Sequence, residues 1–131
     1  MQEVYEFLKA AETYYLATSE GDQPRVRPFG TYVLFEGKLY IQTGKAKPVS
    51  KQIAANPKVE ICAFNGEQWV RIAAEAVADE RLEAKEAALE QFPQLRDMGY
   101  AVDNDTMNVL CLTNARATFE GFTGIVKTVE F

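Results

Sequence analysis

The dipeptide Asn65-Gly66 stands between two apolar-alternating runs, Val59 to Phe64 and Gln68 to Ala78, and it constrains the fold more than any other feature. Asn and Gly tolerate the left-handed backbone of a tight hairpin turn, so the two runs are expected to pair antiparallel. Glu36-Gly37 repeats the signal, joining a long strand from Arg25 to Phe35, interrupted at Pro28 and Gly30, to Lys38 through Thr43. Tyr14 to Thr18 reads as a strand ending in the turn Glu20-Gly21-Asp22-Gln23, and Met107 to Thr113, Ala115 to Phe122 and Ile125 to Phe131 complete the set. Three short helices interrupt them. Val4, Phe7, Leu8 and Ala11 recur at helical spacing in residues 2–12. Pro48 to Ala55 starts on a proline suited to a first turn and ends at Asn56-Pro57, and Arg81 to Gln91 reads as a mostly exposed helix stopped before Pro93. About seven strands joined as hairpins point to a mainly β, α+β chain: an antiparallel barrel with short flanking helices. The glycine fingerprints of Rossmann and P-loop folds are absent.

The 131 residues suit a single domain, 1–131, large enough for its own core. A net charge of −5 disfavours a nucleic-acid partner, which needs a basic face. No apolar run approaches a membrane span, and Met1-Gln2-Glu3-Val4-Tyr5 lacks the basic start of a signal peptide, so a cytoplasmic protein is expected. Cys62 and Cys111 fall inside apolar strands and are read as buried, reduced core thiols. The chain has no histidine, which removes the commonest general base and most metal and haem ligand sets.

Cations then become the informative groups. Arg25 and Arg27 alternate with Val26, so strand geometry sends both guanidinium groups to one face, where an anion would offset their repulsion; an ordinary solvated pair is the plain alternative. Pro28 and Gly30 break the strand beside them and free backbone groups, or only bend it. Thr43-Gly44-Lys45-Ala46-Lys47-Pro48 leads into a helix whose first amides attract anions, and Lys47 and Lys51 share a face if helical geometry begins at Lys47. Simple solvation of these lysines is the alternative. If Val70 and Ile72 fill the barrel, Trp69 and Arg71 point outside it, toward an interface, a ligand shelf or a covering helix.

Gln23-Pro24-Arg25-Val26-Arg27-Pro28-Phe29-Gly30, Gly37-Lys38-Leu39-Tyr40 with Thr43, Lys51-Gln52-Ile53 ending in Asn56-Pro57, Trp69-Val70-Arg71-Ile72 and the Phe122-Thr123-Gly124 turn, in this order, resemble the pyridoxamine 5'-phosphate oxidase-like FMN-binding split-barrel superfamily. The chain is most similar to its short bacterial members near the nitroimidazole-resistance proteins. The resemblance implies an antiparallel split β-barrel and a homodimer with FMN at the interface. It implies an oxidoreductase passing electrons from reduced flavin to a small acceptor. A non-catalytic binding protein for FMN or another anionic planar ligand, such as haem or a deazaflavin, is the second reading. Carried over by position, Arg27 opens the flavin-binding strand, Pro28 and Phe29 offer backbone contacts, and Gln42 and Thr43 lie near the flavin. Lys47 and Lys51 fall in the phosphate loop and helix, Trp69 approaches the ring across the groove, and Arg25 is a further phosphate candidate. Pro48 and Val49 replace a basic pair of the oxidases, and the substrate-binding C-terminal extension is missing, so oxidation of pyridoxamine phosphate itself is not expected.

Overall fold

Tyr14, Leu16, Leu39, Ile41, Ile61, Val70 and Ile72 are all sealed from solvent, and the strands that carry them curl around a common interior in the computed structural model, which describes residues 1–131. The strands are β1 (Tyr14–Glu20), β2 (Gln23–Phe29), β3 (Val33–Phe35), β4 (Lys38–Gly44), β5 (Lys58–Phe64), β6 (Gln68–Ala78), β7 (Met107–Gly121) and β8 (Gly124–Glu130). All pairings are antiparallel, in the order β2-β1-β5-β6-β7-β4-β3, with β8 also on β7. The fold is the expected antiparallel split barrel.

Its split lies along β7. The first part of this strand, Met107 to Cys111, pairs with β4, and the last part, Arg116 to Gly121, pairs with β8 on the same side. Between them Asn114 adopts φ 48°, and the register with β6 shifts by one residue between Ala73 and Glu75. An extra residue in one strand bends it without ending it. Two strands were expected here, and one bulged strand forms instead. Conversely, the run expected as Arg25 to Phe35 divides into β2 and β3 around residues 30–32. Thr31 ties this crossover to β4: its hydroxyl donates to the Gln42 carbonyl (3.1 Å) and accepts from the Gln42 amide (2.9 Å), while the buried Tyr14 hydroxyl donates to the Thr31 carbonyl (2.6 Å).

Helix α1 (Gln2–Ala11) inserts Val4 and Leu8 into the barrel interior. Helix α2 (Pro48–Ala55) adds Val49 and Ile53. Helix α3 (Leu82–Gln91) departs from its expected exposure: Ala84, Ala88 and Leu89 lie with Phe92 and Leu95 over the outer side of β4 and β7, burying Tyr40, Val109 and Cys111 in a second apolar cluster. Strand β4 is consequently covered on both faces. A 3-10 helix, Pro93–Met98, follows and ends at Gly99, whose φ of 92° suits glycine and returns the chain toward β4. Cys111 is buried as expected; Cys62 is only half-buried, because its strand neighbours Ile61 and Ala63 take the interior face and leave it outside. Burial pushes both thiols above the usual cysteine range. No helix is long and apolar enough to cross a membrane.

Candidate functional site

The break in β2 has a consequence for side-chain cover. Where the chain leaves β2 and crosses to β3, an open groove of about 310 Å³ is left against the 3-10 segment. It is lined by Arg27 to Thr31, by Gln42 and Thr43 of β4, by Lys47 and Val49 at the start of α2, and by Gln94, Leu95, Met98 and Tyr100. A second depression of about 410 Å³ shares Arg27, Lys47 and Val49 and adds Glu20, Arg25, Pro48 and Gln52. Arg27 and Lys47, far apart in sequence, therefore converge on one surface.

Arg27 is held rigidly. Its Nη1 donates to the Leu16 carbonyl (3.1 Å) and to Thr18 Oγ1 (2.8 Å), and its Nη2 donates to Gln52 Oε1 (2.6 Å). The Gln52 amide is oriented in turn by Glu20 Oε2 at 3.2 Å. Partial burial, and then the nearby Arg25, lower the Arg27 pKa; an arginine starts so far above neutrality that its charge persists. A fixed cation of this kind is preorganised for an anion and need not be ordered on binding.

Arg25 shares the face of Arg27, since the two stand opposite Thr18 and Leu16 of β1. Its charge, however, is already answered by Glu20 at 2.9 Å, so the repulsion expected between the arginines is offset by a carboxylate. That contact, with the Gln52 hydrogen bond, lowers the Glu20 pKa. Among the lysines the division is equally clear. Lys45 is clamped between Asp105 (2.6 Å) and Glu80 (2.9 Å), whereas Lys47 forms no ion pair and lines both depressions.

Lys47 has extended backbone (φ −75°, ψ 148°) and helical geometry begins at Pro48, so the condition for Lys47 and Lys51 to share a helix face is not met. Lys51 is exposed on α2 and lines neither depression. The helix starts without a side-chain cap; Pro48 has no N–H and the Ser50 amide donates to the Lys47 carbonyl (3.1 Å), so the Val49 amide is the first-turn donor left to an anion. Pro28 and Phe29 line the groove with Gly30, and Gln42 and Thr43 reach it although both are largely buried. Trp69 is elsewhere in the single chain, on the outer face of β6 beside Arg71, as alternation with the buried Val70 and Ile72 requires. Its Nε1 donates to Glu120 (3.2 Å), and its ring contacts Phe122 at 5.3 Å and Phe64 at 6.5 Å. Sequence reasoning missed Thr18 and Gln52, which fix Arg27, and the wall formed by Gln94, Leu95, Met98 and Tyr100. Only the three-dimensional return at Gly99 brings that wall to β4.

Comparison with known proteins identifies relatives with the same architecture. Among curated proteins none matches. Among solved structures, a NimC/NimA family protein from Clostridium acetobutylicum is 45% identical, with a TM-score of 0.94 over 100% of this chain and 93% of that one. An FMN-binding, pyridoxamine 5'-phosphate oxidase-related protein from Nostoc punctiforme shares the fold at 14% identity, with a TM-score of 0.65 over 99% of this chain and 95% of that one. A heme-binding protein from Mycobacterium smegmatis shares it at 18% identity and a TM-score of 0.68, over 98% of this chain and 56% of that one. The family model described as pyridoxamine 5'-phosphate oxidase matches residues 1–119. With nearly the whole chain matched by that model, this protein belongs to the pyridoxamine 5'-phosphate oxidase family and, at 45% identity over its full length, to the NimC/NimA proteins.

Proposed function

We propose that the chain is an FMN-binding flavoprotein, an oxidoreductase that serves a small electron acceptor, and that it works as a homodimer with the flavin between subunits. The observation that carries this reading is the charge of the groove: it presents Arg27 and Lys47 and no carboxylate, in a chain whose net charge is −5. Local cations against an acidic background select for an anion. The donor set fits a phosphate monoester at one end, with Arg27, Lys47 and the uncapped start of α2 in reach, and the Glu20 carboxylate of the adjoining depression is already paired with Arg25. Toward the other end, Pro28, Phe29, Leu95 and Met98 give apolar surface suited to a planar ring, while backbone groups at the strand break and the Gln42 and Thr43 region offer polar partners to its edge. The Nostoc relative that binds FMN supports the cofactor. Bound there, FMN supplies the redox chemistry, and the protein supplies orientation and field. With no histidine in the chain and no acidic group in the groove, the residues act by binding, and a carrier of FMN without turnover is the second reading.

The dimer rests on a different surface. Cross-strand register places Val26, Tyr15, Phe64, Trp69 and Ile125 on the outer face of the sheet, with Phe122 at the β7–β8 turn. Phe122 is 81% exposed, Ile125 69%, Val26 68%, and Tyr15 and Phe64 53% each. An apolar face of this extent, held in an aromatic cluster, calls for a partner. It also runs into the groove, because Tyr15 stands opposite Pro28, which lines it. A second copy on this face would wall the open side of the groove and carry its own Trp69 toward it.

Sedimentation read at both protein and flavin wavelengths tests this. FMN should travel with a dimer, and Phe64→Glu combined with Phe122→Glu should give monomers that lose at least tenfold in FMN affinity. Flavin bound to a monomer would remove the interfacial site. Faster reoxidation of the reduced holoprotein by quinones or nitroaromatics than of free FMN separates an oxidoreductase from a carrier.

A further inference from the structure

We infer that the Tyr100 hydroxyl is a binding group for the phosphate end of the groove's occupant, and that glycine is required at position 44 to seat it there. The inference rests on the FMN reading above and adds a residue to it.

The chain after the 3-10 helix is closed tightly. The Gly99 amide donates to the Arg96 carbonyl (3.1 Å) and the Tyr100 amide to the Leu95 carbonyl (3.1 Å), and this return packs the Tyr100 ring against the second apolar cluster. The hydroxyl ends over Gly44, the last residue of β4: a Cβ built at Gly44 would stand 2.7 Å from Tyr100 Oη and 3.3 Å from the adjoining ring carbon. Any side chain at position 44 would displace the hydroxyl. The Gly44 backbone is not left-handed, so its conformation gives no other reason for glycine. Tyr100 Oη makes no hydrogen bond to the protein, whereas the Tyr14 and Tyr40 hydroxyls donate to the Thr31 carbonyl and to Asp79. A phenol that is held in place yet unpaired has donor capacity to offer a ligand.

Its position selects which part of a ligand. Tyr100 lines the main groove together with Lys47 and also an adjoining depression with Gly44, Lys45 and Lys47, where Asp105 is committed to Lys45. The hydroxyl therefore shares both linings with Lys47, the one lysine of the turn that no carboxylate neutralises. With Pro48 and Val49 unable to contribute charge, a tyrosine donor beside Lys47 completes a phosphate site in a different way. Hydrogen bonds from a neutral donor to a phosphate oxygen are charge-assisted and directional.

The test compares FMN, riboflavin and inorganic phosphate as ligands of the wild-type protein, Tyr100→Phe and Gly44→Ala, with circular dichroism to check that each variant is folded. Tyr100→Phe should weaken FMN about tenfold, the loss of one charge-assisted hydrogen bond, leave riboflavin within twofold, and weaken competition by phosphate. Gly44→Ala should reproduce the FMN loss, and the double variant should lose no more than either single one, because both remove the same contact. Unchanged FMN affinity in Tyr100→Phe, beside normal binding by the wild type, would overturn this inference alone. Equal losses for FMN and riboflavin would overturn the phosphate assignment. A wild-type protein that binds neither flavin would overturn the FMN reading itself, and this inference with it.

Discussion

Replacing Arg27 by alanine should lower both FMN affinity and folding stability, with a loss of about 1–3 kcal/mol in binding and of similar size in unfolding free energy. Two effects are expected because the guanidinium does two things. Its three hydrogen bonds join β2 to the Leu16 carbonyl and Thr18 of β1 and to Gln52 of α2, so truncation loosens α2 from β2 and removes a donor from the Leu16 carbonyl and the Thr18 hydroxyl, while Gln52 Oε1 keeps the Thr18 hydroxyl as its donor. The same side chain lines both depressions. Arg27→Lys separates the effects: the charge stays, but a single ammonium cannot span Leu16, Thr18 and Gln52 together. That variant should recover part of the FMN affinity and little of the stability. Denaturant unfolding followed beside flavin titration reads both quantities.

Lys47→Glu should act on binding alone. Lys47 has no ion pair to break, so unfolding should be unchanged within about 0.5 kcal/mol, the usual range for such surface changes. A carboxylate in its place turns attraction for the phosphate into repulsion and sits beside Arg27, diverting that cation as well. With charges a few ångströms apart at an effective dielectric near ~20, a loss of roughly 2 kcal/mol or more is expected, about thirtyfold in affinity. The loss should shrink as salt rises, since the site is open to solvent and screened. Lys45→Glu provides the contrast. Lys45 is committed to Asp105 and Glu80, so its reversal should harm stability more than flavin affinity.

That contrast marks the limit of what the sequence made legible. Both lysines flank the same alanine, and only the arrival of Asp105 and Glu80 from distant segments distinguishes the clamped one from the free one. Local patterns served well where local physics decides. The β5–β6 hairpin formed at Asn65-Gly66, and the alternation around Trp69 placed Val70 and Ile72 inside and Trp69 and Arg71 outside. The strand expected to break at Pro28 and Gly30 keeps Pro28 paired with Tyr15 and ends after Phe29, and the groove opens where the chain leaves it at Gly30. Patterns misled where one residue bends a strand that continues, as at Asn114 in β7, and where burial comes from a second layer, as for α3 over β4. The 3-10 segment has no period that sequence could report, so Met98 and Tyr100 entered the site only through the fold. Cys62 illustrates a subtler error: its run is apolar, but strand alternation leaves every second residue outside, and Cys62 takes such a position between Tyr15 and Arg71.

The most direct measurement is a crystal structure of the protein grown with FMN. The expected result is phosphate oxygens within hydrogen-bond distance of both Arg27 and Lys47, with the ring between the Pro28–Thr31 crossover and the side chains of Leu95 and Met98. Flavin bound on another surface, or a groove that excludes FMN while Arg27 keeps its contacts to Leu16, Thr18 and Gln52, would contradict the account.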